Sequence, residues 1–127
     1  MKIIPSVNAI LVAAVVAGYA SLASAQAPVK MAGDMLTNAA GMTLYTFDKD
    51  MARTGKSACN GPCAANWLPL MAQGSDQAAG DYSIVVREDG TKQWAFKGKP
   101  LYQWSKDQKP GDKSGDGFNN LWHVAKP

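Results

Sequence analysis

Histidine occurs once and cysteine twice in the 127 residues, and beyond residue 25 no apolar run is long enough to cross a membrane. A membrane helix needs about 20 consecutive apolar residues, so no stable span is expected once the N-terminal segment is removed. Two cysteines and one histidine are too few for a four-ligand zinc centre. Met31, Met35, Met42, Met51 and Met71 are scattered and unaccompanied by histidine, which argues against a soft-metal site. Charge of one sign is also missing, since 13 basic and 10 acidic residues leave a formal net charge of +3. Lys92, Lys97, Lys99, Lys106, Lys109 and Lys113 thicken the C-terminal half, but interspersed charges of this kind mark a solvated face. No nucleic-acid module is recognisable, so no nucleic-acid partner is expected. Helical periodicity is nearly absent, which argues against a bundle. No motif calls for a cofactor.

What is present begins with a leader. Lys2 precedes the small and apolar run Ala9–Ala20, and Ala23-Ser24-Ala25 supplies a small-x-small cleavage pattern. Residues 1–25 are therefore expected to be a cleaved secretory signal, leaving 26–127 as one small domain in the periplasm or outside the cell. In an oxidising compartment the two cysteines, Cys59 and Cys63, pair by default. A ring this short contributes on the order of 2 kcal/mol. The Cys-x3-Cys spacing differs from the two-residue spacing of thioredoxin-type pairs, and Ala64 stands where a c-type haem site needs histidine. A structural disulfide is the leading reading, with a redox pair or a metal-binding dithiolate as alternatives.

Local patterns predict a mostly β protein. A hairpin is expected from Met35–Asn38 through a turn at residues 39–41 to a strand at 43–47, with Tyr45 and Phe47 on one face and Leu44 and Thr46 on the other. Pro62 can open a short helix through Cys63–Trp67, because its missing N–H is unpaired at that position anyway. Residues 26–30 read as an unstructured leader, and 71–81 as a surface connection. Strands are expected at 82–87 and 92–96 around an Asp89-Gly90 turn. Two more follow at 101–104 and 121–125.

The chain also repeats itself. "GMTLYTFDKD" at 41–50 returns without a gap as "GKPLYQWSKD" at 98–107, each residue 57 positions on. Each copy leads through a polar loop to a tryptophan, Trp67 or Trp122. The repeats, about 30–70 and 82–127, are expected to bury matching apolar faces against one another in a small antiparallel sandwich or barrel-like domain with pseudo-two-fold symmetry. Gly41 and Gly98 are expected to take positive φ.

Several residues carry chemistry that this architecture leaves open. Tyr45, Phe47, Tyr102 and Trp104, with Trp67, Trp94 and Trp122, are expected to form the core. The functional alternative is an open aromatic cleft in which Trp67, Trp94, Trp122 and His123 touch a flat ligand. Asp50 and Asp107 are expected to accept backbone N–H bonds from the loops that follow them. Acid–base work by that pair is the alternative. Asp112, Ser114, Asp116 and Gly117 begin like a calcium loop, but His123 stands where a bidentate glutamate belongs. No metal is therefore assigned, although Asp112, Asp116 and His123 are the candidates.

The two Tyr-x-aromatic-x-x-Asp copies and the block "CNGPCAANW" resemble the bacterial "secreted repeat of unknown function" family, which includes predicted lipoproteins. The similarity runs from about residue 30 to 127. This chain lacks a lipobox cysteine, and it has Trp67-Leu68-Pro69 where relatives commonly show Trp-Pro-Pro. The resemblance implies architecture and export and assigns no activity. The sequence is thus expected to encode an exported, non-catalytic binding or envelope-associated domain whose partner is an unknown ligand or envelope component. The alternative is a thiol-redox or metal-handling protein that uses Cys59, Cys63 and His123.

Overall fold

The computed structural model describes residues 27–50, 52 and 54–127. The expected leader at 1–25 and Met51 lie outside the described residues. Ten short strands form three antiparallel sheets. A hairpin pairs β1 (Val29–Ala32) with β2 (Met35–Asn38). The central sheet runs in the order β10 (Trp122–Val124), β3 (Tyr45–Phe47), β9 (Tyr102–Trp104), β4 (Trp67–Pro69). The third sheet orders β5 (Met71–Ala72), β7 (Lys92–Phe96) and β6 (Tyr82–Val86), and β8 (Lys99–Pro100) also pairs with β7. Among the described residues no sheet closes on itself, so the domain is not a closed barrel.

The repeats meet in the central sheet. Tyr45 lies directly opposite Tyr102 across β3 and β9. Each repeat then lends its last strand to the other: β10 pairs with β3 and β4 with β9. The registers correspond, with Trp122 opposite Phe47 and Trp67 opposite Trp104. Gly41 and Gly98 both adopt positive φ, at 90° and 83°, in turns where a Cβ would be strained.

Alternation along these short strands sends every large ring to one face. Tyr45, Phe47, Trp67, Tyr102, Trp104 and Trp122 pack with Cys59 and Val124 into one core. Four rings form a continuous stack. Phe47 lies 4.1 Å from Trp122, Trp122 3.8 Å from Trp67 at 1° between planes, and Trp67 4.0 Å from Trp104. Tyr45 meets Trp67 edge-on, as Tyr102 meets Trp122. Such pairs contribute about 0.5–1.5 kcal/mol each beyond area burial.

A second core gathers Leu36, Leu44, Leu70, Trp94, Phe96, Leu101 and Ala125. Here the chains leave the central sheet through two matching rings of backbone hydrogen bonds. The Leu44 N–H donates to Leu36, that of Leu36 to Ala125, and that of Ala125 back to Leu44. Leu101, Trp94 and Leu70 repeat the cycle. Buried backbone groups at these crossings are thereby paired, as burial requires.

Three local expectations need correction. Val29 and Lys30 pair with Asn38 and Thr37, and Val29 packs against the second core, so the leader does not extend to residue 30. The helix is Pro62–Asn66, and Trp67 opens β4 because its ring belongs to the stack. The connection after residue 70 begins as β5, where Met71 and Ala72 pair with Gln93 and Lys92.

Gly115 is held against this stack. A Cβ there would stand 2.6 Å from Trp67 Cη2 and 3.0 Å from Trp104 Cγ, whereas at Gly74 it would meet nothing within 4 Å. Gly115→Ala is expected to destabilise the fold by about 1–3 kcal/mol, with Gly74→Ala within about 0.5 kcal/mol of neutral. Urea unfolding midpoints compare the two.

Candidate functional site

The repeated Tyr and Asp residues form a reciprocal exchange between the halves. Tyr45 O–H donates to Asp107 Oδ2 at 2.7 Å, and Tyr102 O–H donates to Asp50 Oδ2 at 2.5 Å. The other oxygen of each carboxylate holds the loop that follows it. Asp50 Oδ1 accepts the Ala58 N–H at 2.6 Å. Asp107 Oδ1 accepts both the N–H and the hydroxyl of Ser114, at 3.0 and 2.6 Å. Each aspartate thus ties its own loop to the opposite repeat's strand.

Sequence reading missed the residues that complete these bonds. Ser57 Oγ lies 2.6 Å from Tyr102 Oη and receives Arg87 Nη1 at 3.0 Å and the Cys59 N–H at 3.2 Å. With the Tyr102 proton committed to Asp50, Ser57 donates to Tyr102. A buried relay results, from guanidinium through two hydroxyls to a carboxylate. Arg87 is 6 % exposed, and it also donates to Gln93 Oε1, the Cys59 carbonyl and Asn60 Oδ1. On the other side the Gly115 N–H donates to Tyr45 Oη at 3.2 Å. A signal was available: Lys56-Ser57 recurs as Lys113-Ser114 at the same spacing of 57. Arg87 has no such echo, and its end-of-strand position gave no sign of burial.

Burial, reinforced by the bond to a carboxylate, pushes both phenols far above their ordinary value of 10. Burial also raises Asp50 above 3.8, opposed by the Tyr102 bond, the Ala58 amide and the Arg87 charge.

The other candidate residues are dispersed. Trp67, Trp94 and Trp122 are buried at 3 % exposure or less, and the indole N–H of Trp94 has no partner among the described residues. Cys59 and Cys63 form a disulfide. Asp112 accepts the backbone N–H groups of Gln108 and Lys109, and Asp116 accepts that of Val124. His123 lies elsewhere, on the outer face of the central sheet, with Nε2 2.8 Å from Asp48 Oδ2. No group of three or more His, Cys, Asp or Glu comes together among the described residues.

That outer face carries an open groove of about 380 Å³, within the size range of small-ligand sites. Thr46, Asp48 and His123 line it together with Phe96, Lys97, Lys99 and Lys126.

With two equivalent Tyr–Asp clasps and two equivalent loops on the page, the family match has a structural meaning. The sequence pattern of the secreted repeat of unknown function matches residues 29–71 and again 83–126. The chain belongs to this family. Comparison with curated proteins and with solved structures gives no significant match. In this secreted-repeat protein each matched segment contributes one half of the central sheet. Among the described residues no helix is long and apolar enough to cross a membrane.

Tyr45→Phe and Tyr102→Phe are each expected to cost about 1.5–3 kcal/mol, because each strands a buried carboxylate oxygen. The tyrosines also set an alkaline dependence. The folded phenols keep their protons where unfolded ones lose them, so stability is complete below pH 10 and falls as pH rises from there. Each Phe variant should lose less stability across that window, read by denaturant unfolding alongside phenolate absorbance. Asp50 acts in the acid range with the same sign. Its folded form takes up a proton first, which adds stability as pH falls from neutral towards 3.8. Asp50→Asn should abolish that increment.

Proposed function

We propose that this secreted-repeat protein is an exported, non-catalytic binding module of the periplasm or cell envelope. The occupancy of the motif carboxylates carries this reading. Asp50 and Asp107 are nearly buried, and both oxygens of each are engaged by a loop and by the opposite tyrosine. A general acid or base needs a proton-accepting face directed at substrate, and neither aspartate presents one. The aromatic motif positions are likewise spent on the core. What the scaffold offers to a partner is its outer surface, where the groove beside His123 and Asp48 concentrates ionisable side chains.

A thiol-redox role is the second reading, favoured by one observation. Arg87 Nη2 is 2.6 Å from the Cys59 carbonyl oxygen, so a guanidinium lies next to the cysteine ring, and a nearby cation favours thiolate on reduction. Against it, Cys59 is fully buried and packed in the aromatic core, which leaves only the half-buried Cys63 open to an attacking thiol.

One measurement separates the readings. Equilibration of the protein with dithiol buffers should give a potential below about −300 mV, as for structural disulfides, and Cys59→Ser/Cys63→Ser should leave ligand binding intact. A potential near −120 to −270 mV, the range of thiol oxidoreductases, would favour the redox role.

A further inference from the structure

The internal symmetry of the fold supplies its own control for which surface residues the architecture requires. Scaffold positions match in both halves: Tyr45 with Tyr102, Asp50 with Asp107, Leu44 with Leu101, Ser57 with Ser114. The groove does not follow this rule. His123 pairs with Thr46 as Leu68 pairs with Gln103, so Leu68 is the counterpart of His123. The Asp48 N–H donates to Leu121 as the Ser105 N–H donates to Asn66, so serine replaces Asp48. Ala125 and Leu70 hold equivalent places in the backbone rings, which makes Met71 the counterpart of Lys126. By the spacing of 57, Lys97 and Lys99 correspond to Ala40 and Met42. Five ionisable residues on one side face five uncharged ones on the other. The counterpart surface is also closed by a direct bond, Asn38 Nδ2 to Gln103 Oε1 at 3.2 Å. The repeated scaffold does not call for these charges, which points to another role.

Their arrangement indicates what. Lys97 and Lys99 have no carboxylate within ion-pair distance among the described residues, and Lys126 has only Asp34 at 3.8 Å on an exposed surface. Lys97 Nζ lies 5.4 Å from the centre of the Phe96 ring, and its backbone φ is 51°. Glycine takes that conformation at lower cost, yet a lysine holds the place. Opposite these cations, Asp48 is half-exposed and keeps one oxygen on His123. A carboxylate in the groove would repel a bare inorganic anion. It suits a ligand that carries hydroxyl donors together with a negative group, in a volume fit for one or two sugar rings.

We propose that the groove between Lys97/Lys99 and Asp48/His123 binds an acidic saccharide, with its carboxylate on the lysines and its hydroxyls on Asp48. This rests on the reading of the protein as a binding module and names the ligand class of that site. One ligand chemistry has two sources here, a free uronic acid or a uronate within a polysaccharide.

The test is a titration of the exported protein with a monomeric uronic acid, a uronate oligosaccharide and the corresponding neutral oligosaccharide, followed by amide chemical shifts and calorimetry. Shifts centred on Thr46, Asp48 and His123 with the acidic sugars are expected, with the oligomer favoured if the source is a polymer. Lys97→Gln/Lys99→Gln should weaken binding roughly tenfold. Lys106→Gln/Lys109→Gln removes the same charge elsewhere and should change it little. Asp48→Asn should weaken the acidic sugar although it removes a negative charge, which simple attraction does not predict. Equal losses in the two lysine pairs, or tighter binding by Asp48→Asn, would overturn the proposal in favour of diffuse electrostatics. Shifts at the groove with the neutral sugar alone would overturn the acidic ligand and leave the binding module standing. Absence of shifts with all three, together with a redox potential in the oxidoreductase range, would overturn both.

Discussion

The fold depends on the exchange of hydrogen bonds between Tyr45 and Asp107 and between Tyr102 and Asp50. Each bond spans the boundary between repeats, and each carboxylate simultaneously fixes the loop that carries its own half to the next strand. A central sheet of three-residue strands has little ladder to hold it, so the side chains must supply the connection. Charge-assisted bonds inside a dry core are stronger than neutral ones at the surface. Without them the loops at 54–61 and 108–117 would lose the anchors that hold Cys59 and Gly115 against the rings.

The aromatic stack is built on that frame. Trp67 and Trp122 open β4 and β10, downstream of the loops that the aspartates organise, and they face one another almost without tilt. The repeat therefore reads as two interlocked statements, a polar clasp and an apolar stack, each needing both copies. The motif recurs because each copy serves its neighbour.

Much of this was legible in the residues. Alternation placed Tyr45 and Phe47 together, Asp89-Gly90 marked its hairpin, and the spacing of 57 revealed the symmetry. The aspartates read correctly as loop anchors, but their second partner did not show, because cross-repeat distance is a tertiary fact. Trp67 looked helical since three of its neighbours favour helix, and its burial in the stack overrode that preference. The strands at Val29 and Met71 were hidden because each has only a few residues, and the one at Met71 gains its order from Gln93, further along the chain. Arg87 was invisible as a buried cation for a related reason: its acceptors are a serine, a glutamine, an asparagine and a carbonyl, none of which flags an ion site. The groove escaped notice because its members come from three separate segments and are ordinary surface types one by one.

The crossing of final strands has a consequence in time. β3 finds its partner β10 only after a span of about 75 residues, the separation of Asp48 from His123. The first repeat therefore cannot complete its sheet when its own residues become available. It waits for the last strand, and the two halves close together or not at all. In a chain wired this way the local hairpins can pair early, but the central sheet is complete only when the last strand arrives.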